Sequence, residues 1–145
     1  LDILELAHKL KKETKEGKLK KAVNAMSQAG VNIRALSIAD SSKYGILRLI
    51  VSDNETAINA LREEKFTVKE TDVIVVGVKD EPNGLNTMLE ILEKESINVE
   101  YLYAFVSSKT EEAIVVVKIE NYEDGLKALK DANANLLSEE DLAEL

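Results

Sequence analysis

The chain has 145 residues, of which 45% are hydrophobic and 32% charged, a balance typical of a soluble globular protein with a real core. Its net charge of −8 makes nucleic acid and anionic membranes unfavourable partners, and the absence of cysteine excludes disulfides and thiolate chemistry. No apolar run reaches the ~20 residues that span a bilayer, and the N-terminus lacks a targeting pattern, so we expect a cytoplasmic protein.

The first half of the chain alternates between strand-like and helix-like segments. Its beginning is irregular, because residues 7–12 lack strand alternation and indicate a polar helix or a solvated arm. Either residues 1–6 supply an edge strand or the first strand is missing. The remaining pattern predicts strands at 31–38, 46–51 and 66–69, helices at 19–28 and 55–64, and a hairpin at 40–45.

The second half shows the same order more clearly. A β-branched run at 73–78 predicts a strand, and Pro82, Asn83 and Gly84 form a turn signal that also begins a helix. That helix carries one apolar stripe at helical spacing. The later elements are strands at 98–106, 112–119 and 135–137, a hairpin at 107–110 and a helix that begins near Asn121.

The two halves are related by an internal repeat. Residues 30–37 align with 96–103 at an offset of 66, residues 46–51 with 113–118 at 67, and residues 57–61 with 125–129 at 68. We therefore predict two modules, 1–70 and 71–145, each with the order βαββαβ. Right-handed crossovers make each an α+β ferredoxin-like sandwich, an antiparallel sheet with both helices on one face.

The other face of each sheet is expected to be covered. Residues 73–78 and 114–117 are apolar at both parities, whereas a sheet with one wet face alternates. One strand of the second module carries large side chains at positions where the first module has small ones. This difference suggests contact with a sister module or a second chain. The alternative is that the aromatics fill only their own core. The residues are Tyr101, Tyr103 and Phe105 against Ala35, Ser37 and Ala39.

Catalytic and metal-binding patterns are missing from the sequence. The single histidine, His8, has no triad-like partners, and the acidic runs at 63–64 and 139–141 indicate solvated faces. We predict no enzyme activity, no cofactor and no metal site. A lysine cluster at residues 9–21 leaves RNA binding as a minor alternative, which requires the aromatic sheet face to be open.

The repeat unit resembles the ACT domain over nearly the whole chain. The resemblance rests on residues 80–85 after the first strand of the second module, on the stretches 30–40 and 44–51, and on the tail at 136–142. It implies a regulatory module that binds a free amino acid at an interface between modules and pairs through its sheets. A homodimer through sheet faces or edges, and a metabolic enzyme as a partner, are further expectations.

The resemblance also implies the ligand-binding residues. The family's loop, Asp/Asn-x-Pro-Gly-x-Leu, receives the ligand carboxylate on amides at the helix start, where unpaired N–H groups favour an anion. Asparagine replaces glycine in this loop and tolerates a left-handed turn. Alternatively, Asp80 caps the helix, and the strand asparagines bond their own backbone. The implied residues are Asp80, Asn83, Gly84 and Leu85, then Gly17 and Leu19, and at the second strands Asn98, Val99, Asn32 and Ile33.

The leading hypothesis is thus an amino-acid sensor that reports its ligand through a change of conformation or assembly. The main alternative is a regulatory subunit without a ligand that docks an enzyme through its sheet face. Because a fold does not fix a function, the sequence leaves both open.

Overall fold

A computed structural model describes residues 2–9, 17–40 and 44–145. The chain divides into two units, Asp2–Thr71 and Asp72–Leu145. The elements of the first are β1 (Asp2–Lys9), α1 (Lys18–Gln28), β2 (Ile33–Asp40), β3 (Tyr44–Val51), α2 (Asn54–Glu63) and β4 (Thr67–Asp72). Those of the second are β5 (Ile74–Lys79), α3 (Gly84–Lys94), β6 (Val99–Val106), β7 (Glu112–Ile119), α4 (Tyr122–Asp131), β8 (Asn135–Leu136) and α5 (Glu139–Ala143).

Each unit is an antiparallel four-stranded sheet with two helices on one face. The strand orders are β2-β3-β1-β4 and β6-β7-β5-β8, so the same ferredoxin-like topology occurs twice. In the first unit the buried residues of α1 and α2 pack against alternate residues of β3 and form a single core. In the second, α3 and α4 pack in the same way on alternate residues of β5 and β7. The α+β fold class expected from the sequence is confirmed.

The beginning of the chain differs from the prediction. Residues 2–9 form one strand, β1, which lies inside the sheet between β3 and β4. Its register pairs Leu4 with Leu49 and Leu6 with Leu47, as Ile74 pairs with Val117 in the second unit. The expectations of an edge strand at 1–6, and of a helix or arm over residues 7–9, are therefore wrong. Residues 10–12 lie outside the described part.

The repeat offset explains this error. Equivalent register positions relate β1 to β5 by 70 residues, whereas the following helices are related by 66. The first unit thus has four more residues between its first strand and first helix, which hid β1 from an alignment at constant offset. The β3 and β7 strands are related by 68 residues, not 67, because Leu49 opposes Leu36 as Val117 opposes Leu102. A shift of one residue in this alignment matters, because it moves every side chain of the strand to the opposite face of the sheet.

The four longer helices of the described residues end in the same way. In each, the residue after the last turn has a positive φ, and the amide that follows it donates to the carbonyl five residues back, which closes the helix end. Only the first of these positions is glycine. The residues are Gly30 (φ 77°), Lys65 (65°), Ser96 (55°) and Asn133 (57°).

Both faces of the second sheet are buried at its centre, as the apolar pattern predicts. Val75 and Val116 point away from the helices, yet they are only 1% and 0% exposed. Beyond β8 the chain forms a short helix, α5, that the sequence analysis missed. Ser138 and Asp141 form a reciprocal capping box at its start, and Leu142 is buried. The acidic run at 139–141 forms the first turn of this helix, and its side chains are exposed, as expected of a solvated face.

Candidate functional site

The loop between β5 and α3 carries the residues that the sequence predicts to hold a ligand carboxylate. Asp80 and Asn83 are exposed, and Gly84 is the first residue of α3. The Lys79 carbonyl oxygen accepts the Glu81 amide at 2.9 Å, which folds the loop tightly back over the strand end. A methyl group on Gly84 would collide with that same carbonyl oxygen. Glycine is therefore required here by a close approach between loop and strand.

The backbone at Asn83 does not adopt the left-handed conformation that we expected. Its φ is −99° and its ψ is 0°, and Gly84 likewise has no positive φ. The turn needs no left-handed residue, because the bond from the Gly84 amide to the Glu81 carbonyl already closes it at 3.0 Å. Asparagine is compatible with this position for a different reason than the one we predicted.

The first turn of α3 has no side-chain cap. The Asn83 side chain contacts Thr87 and Asn86 side chains instead of the backbone amides. Within the described residues, the amides of Leu85 and Asn86 have no hydrogen-bond acceptor. Asp80 makes no capping bond to this helix either. The helix start consequently presents unpaired N–H donors to solvent, at the positive end of the helix dipole.

The equivalent place in the first unit is also uncapped. Gly17 precedes α1 with φ 82° and offers no side chain, and Leu19 is 43% exposed. The residues that precede Gly17 in the aligned loop, 14–16, lie outside the described part. By contrast, α2, α4 and α5 begin with side-chain caps in which Asp53, Asn121 and Ser138 accept backbone amides. The uncapped helices are thus the two that follow the predicted loops.

Two of the capped helices, α2 and α5, carry a carboxyl group with a lowered pKa at their start. The Thr56 hydroxyl and amide donate to Asp53 and lower its pKa, and the Ser138 amide and hydroxyl lower the pKa of Asp141. Both carboxylates are therefore already used by the protein. Neither belongs to the predicted ligand loops.

The second group of predicted residues lies at the start of β6. Asn98 and Val99 line a shallow depression of about 510 Å³ with an apolar floor from Leu92 and Ile97 and a rim that includes Glu93. The Asn98 carbonyl accepts the Glu120 amide at 3.1 Å, while its side-chain amide has no partner among the described residues. The side chain is exposed and available to a ligand.

Asn32 occupies the same position in the first unit. Its backbone exchanges bonds with Ser52, whose hydroxyl accepts the Asn32 amide at 2.9 Å and whose own amide donates to the Asn32 carbonyl at 2.9 Å. The Asn32 side chain, like that of Asn98, makes no hydrogen bond within the part of the chain that the structure describes. The alternative that these asparagine side chains bond their own backbone is therefore not observed. Ile33 follows as a half-buried residue against the core.

The loop and the asparagine lie at opposite ends of each sheet. Lys79, which precedes the loop, is opposite Glu112, while Val99 is opposite Ile119 at the other end of β7. Seven steps of a strand separate these ends, about 24 Å. The structure thus brings Asp80, Asn83, Gly84 and Leu85 together, but it does not bring them to Asn98 within one unit.

The exposed apolar residues form a feature that the sequence analysis missed. The β2 and β6 strands are the outer strands of their sheets, and several of their helix-side residues are exposed. We call these surfaces the edge strips: Leu19, Leu36 and Ile38 in the first unit, and Leu85, Leu102 and Val106 in the second. All five large hydrophobics that are strongly exposed in the described side chains lie in them: Leu19 43%, Leu36 48%, Ile38 55%, Leu85 39% and Val106 70%. The sequence signal for these exposed residues was that β2 carries apolar residues at both odd and even positions.

The aromatic sheet face is not an open stacking platform. Tyr101, Tyr103 and Phe105 share the face of β6 that points away from the helices, and all three are half-buried. The Tyr103 hydroxyl oxygen is fully inaccessible to solvent. RNA binding by base stacking needs accessible rings, so this observation disfavours the RNA alternative. Among the helices of the described part, none combines the length and the apolar character needed to cross a bilayer.

The fold and the paired loops define the class of protein: two ferredoxin-like modules with an uncapped helix at the predicted ligand loop of each. Residues 3–145 match the family model of the ACT domain pair. The chain belongs to this family. The predicted resemblance is thereby confirmed.

Solved structures give the same fold. The chain is similar to protein BT0572 from Bacteroides thetaiotaomicron, with 31% identity, a TM-score of 0.88, and coverage of 99% of this chain and 96% of that one. It is also similar in fold to the regulatory subunit of aspartate kinase from Thermus thermophilus, in its ligand-free form, at 17% identity and a TM-score of 0.60, covering 90% and 91% of the two chains. The regulatory subunit of aspartate kinase from Thermus flavus is similar in fold at 19% identity and a TM-score of 0.59, covering 91% of this chain and 92% of that one. No curated protein matches the chain.

Proposed function

We propose that this chain is a cytoplasmic, non-catalytic regulatory protein that binds a free amino acid where two ACT modules meet. The observation that carries the proposal is the start of α3, which presents unpaired amides beside an exposed carboxylate. A zwitterion needs a donor set for its carboxylate and an acceptor for its ammonium group. Amides of Leu85 and Asn86 supply the first, and Asp80 supplies the second.

The missing caps support this assignment. In three helices a side chain accepts a hydrogen bond from a first-turn amide, whereas no side chain does so in α1 and α3. A bound carboxylate would accept hydrogen bonds from these amides and interact favourably with the helix dipole. Gly84 supports the same conclusion, because it allows the loop to fold against the Lys79 carbonyl and leaves the helix start unobstructed.

A complete site requires a second module. The strand asparagine lies about 24 Å from the loop of its own unit, whereas the backbone of a free amino acid spans only about one residue step of 3.8 Å. An antiparallel approach of two outer strands places the loop end of one module beside the asparagine end of the other. We infer that the site has a loop from one module and Asn98 or Asn32 from its neighbour, in a homodimer joined at the edge strips.

The regulated partner is a metabolic enzyme in this proposal. Structural neighbours that share the fold include regulatory subunits of aspartate kinase, but the identity to them is below 20%, so the enzyme itself is left open. Ligand binding across an interface couples occupancy to assembly, which gives a regulatory subunit a means of signalling. Docking of an enzyme without any ligand is the competing function, and the exposed edge strips favour it as a second candidate.

Thermal-shift screening and calorimetry with the twenty amino acids test the proposal. One or a few amino acids should raise the melting temperature, since ligand at 100 times its Kd adds about 2.7 kcal/mol of stability. Asn98→Ala should weaken binding about tenfold or more, while Asn59→Ala, at an exposed asparagine on α2, should leave it unchanged. If no amino acid at millimolar concentration changes the melting temperature, the sensor hypothesis is wrong and docking without a ligand is favoured.

A further inference from the structure

The loop before α3 contains the only asparagine–glycine pair of the sequence, Asn83–Gly84. Each of the other asparagines precedes a residue that carries a side chain. An asparagine side-chain amide hydrolyses most readily before glycine, because glycine has no Cβ to hinder the approach of its own backbone nitrogen. Asn83 is exposed to water. The fold also requires the glycine, since a Cβ on Gly84 would collide with the Lys79 carbonyl oxygen.

Two hydrogen bonds hold the Asn83 side chain away from the backbone amides at the helix start. Its Nδ2 donates to the Thr87 hydroxyl oxygen at 3.3 Å, and its Oδ1 accepts from the Asn86 side chain at 3.2 Å. The Thr87 hydroxyl proton is already used, because it is donated to the Asn83 carbonyl at 2.9 Å. The Thr87 oxygen therefore only accepts from side chain 83, which has to provide an N–H donor.

A carboxylate at the start of another helix of this protein makes a different contact. Asp53 precedes α2 and accepts the backbone amide of Thr56, three residues further on, at 3.2 Å. Position 83 stands in the same relation to the backbone amide of Asn86. That amide is one of the two that we assign to the ligand carboxylate. An aspartate at position 83 would therefore have a bonding partner that the asparagine side chain does not use.

We propose that Asn83 is a site of spontaneous hydrolysis to aspartate, and that the product closes the ligand site by capping α3. The consequence for the ligand rests on the proposed function, because the Asn86 amide belongs to the proposed carboxylate site. The modification and the new cap do not depend on it. A single covalent change at Asn83 thus turns an open helix start into an occupied one.

The reaction uses only the chain and water. The Gly84 backbone nitrogen loses its proton and attacks Cγ of Asn83, so that a C–N bond forms and the side-chain nitrogen leaves as ammonia with that proton. Water then adds to one of the two carbonyls of the five-membered imide, and the C–N bond at that carbonyl breaks. Opening at Cγ gives aspartate, and opening at the main-chain carbonyl gives isoaspartate. The net change is amide and water to carboxylic acid and ammonia.

The folded loop holds the reacting atoms apart. At the ψ of 0° observed for Asn83, the Gly84 nitrogen eclipses the Asn83 nitrogen and is turned away from the Asn83 Cβ. The Gly84 N–H is also engaged, since it donates to the Glu81 carbonyl at 3.0 Å. Ring closure therefore requires the loop to open and this bond to break. A ligand that binds the closed loop would slow the modification, because it lowers the population of the open loop.

A carboxylate at position 83 has no N–H to donate to Thr87. The contact survives only if the Thr87 hydroxyl gives up its bond to the carbonyl of residue 83. The Asn86 amide offers a charge-assisted bond, which is roughly twice as strong as a neutral one and is favoured by the helix dipole. Such a cap needs extended backbone, as at Asp53 with φ −149° and ψ 101°. The open and capped loops are therefore two distinct conformations.

The neighbouring acidic residues act on both the product and the ligand. Asp80 and Glu81 are exposed in the same loop and oppose a further negative charge there. Salt screens this repulsion between exposed groups, whereas the bond to the Asn86 amide is a direct contact. A carboxylate at position 83 also repels the ligand carboxylate where the cap is not formed. Both effects lower the affinity of the site for an amino acid.

Peptide mapping by mass spectrometry on the aged full-length protein tests the modification. During incubation at mildly alkaline pH, Asn83 should be converted at least about tenfold faster than Asn59, an exposed asparagine that alanine follows. Conversion of Asn83 should be faster still in urea, which opens the loop. A rate at Asn83 in the folded protein that is no higher than the rate at Asn59 overturns the proposal.

The variant Asn83→Asp tests the consequence, with Asn83→Gln as the neutral variant for comparison. The backbone amide of Asn86 should exchange with deuterium at least about tenfold more slowly in Asn83→Asp than in Asn83→Gln, because it gains an acceptor. The affinity of Asn83→Asp for the amino acid that stabilises the wild type should be at least about tenfold lower than that of Asn83→Gln. Asn59→Asp adds the same charge at an exposed position on α2 and should leave the affinity unchanged.

These results are separable from those that test the proposed function. If no amino acid binds the wild type, the sensor hypothesis fails, while mapping and amide exchange still decide whether Asn83 is modified and whether the product caps α3. If an amino acid binds Asn83→Asp as tightly as the wild type, the sensor is kept and closure of the site is rejected. Equal exchange of the Asn86 amide in the two variants rejects the cap.

Discussion

The Asn135 side chain donates a hydrogen bond of 2.7 Å from Nδ2 to Oε1 of Glu112, and it does so directly over Gly77 of the intervening strand. A Cβ at position 77 would lie 2.8 Å from the Asn135 nitrogen and 2.9 Å from the Glu112 oxygen. The glycine thus leaves the space in which two strands on either side of β5 are linked. The bond ties the short strand β8 to the sheet.

We predict that Gly77→Ala destabilises the protein through this bond. The methyl group must push the two side chains apart, and a hydrogen bond of this kind contributes about 1 kcal/mol. In the Asn135→Ala background the same substitution should be neutral or stabilising, because alanine favours a strand over glycine by about 0.5–1 kcal/mol. Urea unfolding of the four proteins in this cycle gives the coupling energy. Additive effects would contradict the prediction.

Gly84→Ala should affect both the fold and the ligand site. Its methyl group would collide with the Lys79 carbonyl oxygen, a backbone atom that cannot move without displacing the strand end. We expect a loss of about 1–3 kcal/mol in the free energy of unfolding, and loss of amino-acid binding at temperatures where the variant is folded. Gly30→Ala, outside the predicted ligand residues, is the control, because its Cβ meets no atom within 4 Å and only the positive φ is strained.

Lys65→Gly should stabilise the protein. Lys65 ends α2 with φ 65°, a conformation that costs an L-residue about 1–2 kcal/mol and glycine nearly nothing. Glycine loses more conformational entropy on folding, which offsets part of this benefit. We therefore expect the free energy of unfolding, measured by heat or urea, to rise by about 0.5–1 kcal/mol. Ala60→Gly, at an interior position of the same helix, should instead lose about 1 kcal/mol. Equal losses in both variants would contradict the assigned backbone conformation.

Stability should depend on pH through the Asp53 cap. The Thr56 hydroxyl donates to Asp53 at 2.7 Å and its amide at 3.2 Å, and these bonds hold the pKa of the carboxyl below 3.8 in the folded protein. The stabilisation is thus complete above the unfolded pKa and is lost as the pH falls through the lower folded pKa. Asp53→Asn keeps a capping acceptor but does not titrate. Between about pH 5 and pH 2.5 the wild type should therefore lose stability relative to this variant.

The sequence predicts most elements because their signals are local. The β-branched run after Asp72 and the apolar stripe of α3 need no tertiary information, and β7 is predicted at its observed limits. The first strand was missed because it contains His8 and Lys9, and because the longer loop that follows it broke the repeat offset. The short helix α5 was missed because its acidic first turn depends on the local bonds between Ser138 and Asp141.

The candidate site was predictable only in part. The loop residues and the strand asparagines follow from the family pattern, and they stay predictions until a ligand is bound. The backbone of Asn83 was not predictable, since the Glu81–Gly84 bond decides it. The edge strips were also hidden, because Leu36 and Ile38 look like ordinary core residues until the sheet order shows that β2 is its outer strand.

The separation of the loop from the asparagine has a quantitative consequence for any sensor built in this way. In the proposed homodimer each site joins a loop of one copy to an asparagine of the other, so occupancy depends on the amount of protein as well as on the amount of ligand. In dilute solution the apparent affinity should fall as dimers dissociate, and ligand should in turn tighten the dimer by the same free energy. A cell could therefore set the threshold of the response by expression level alone.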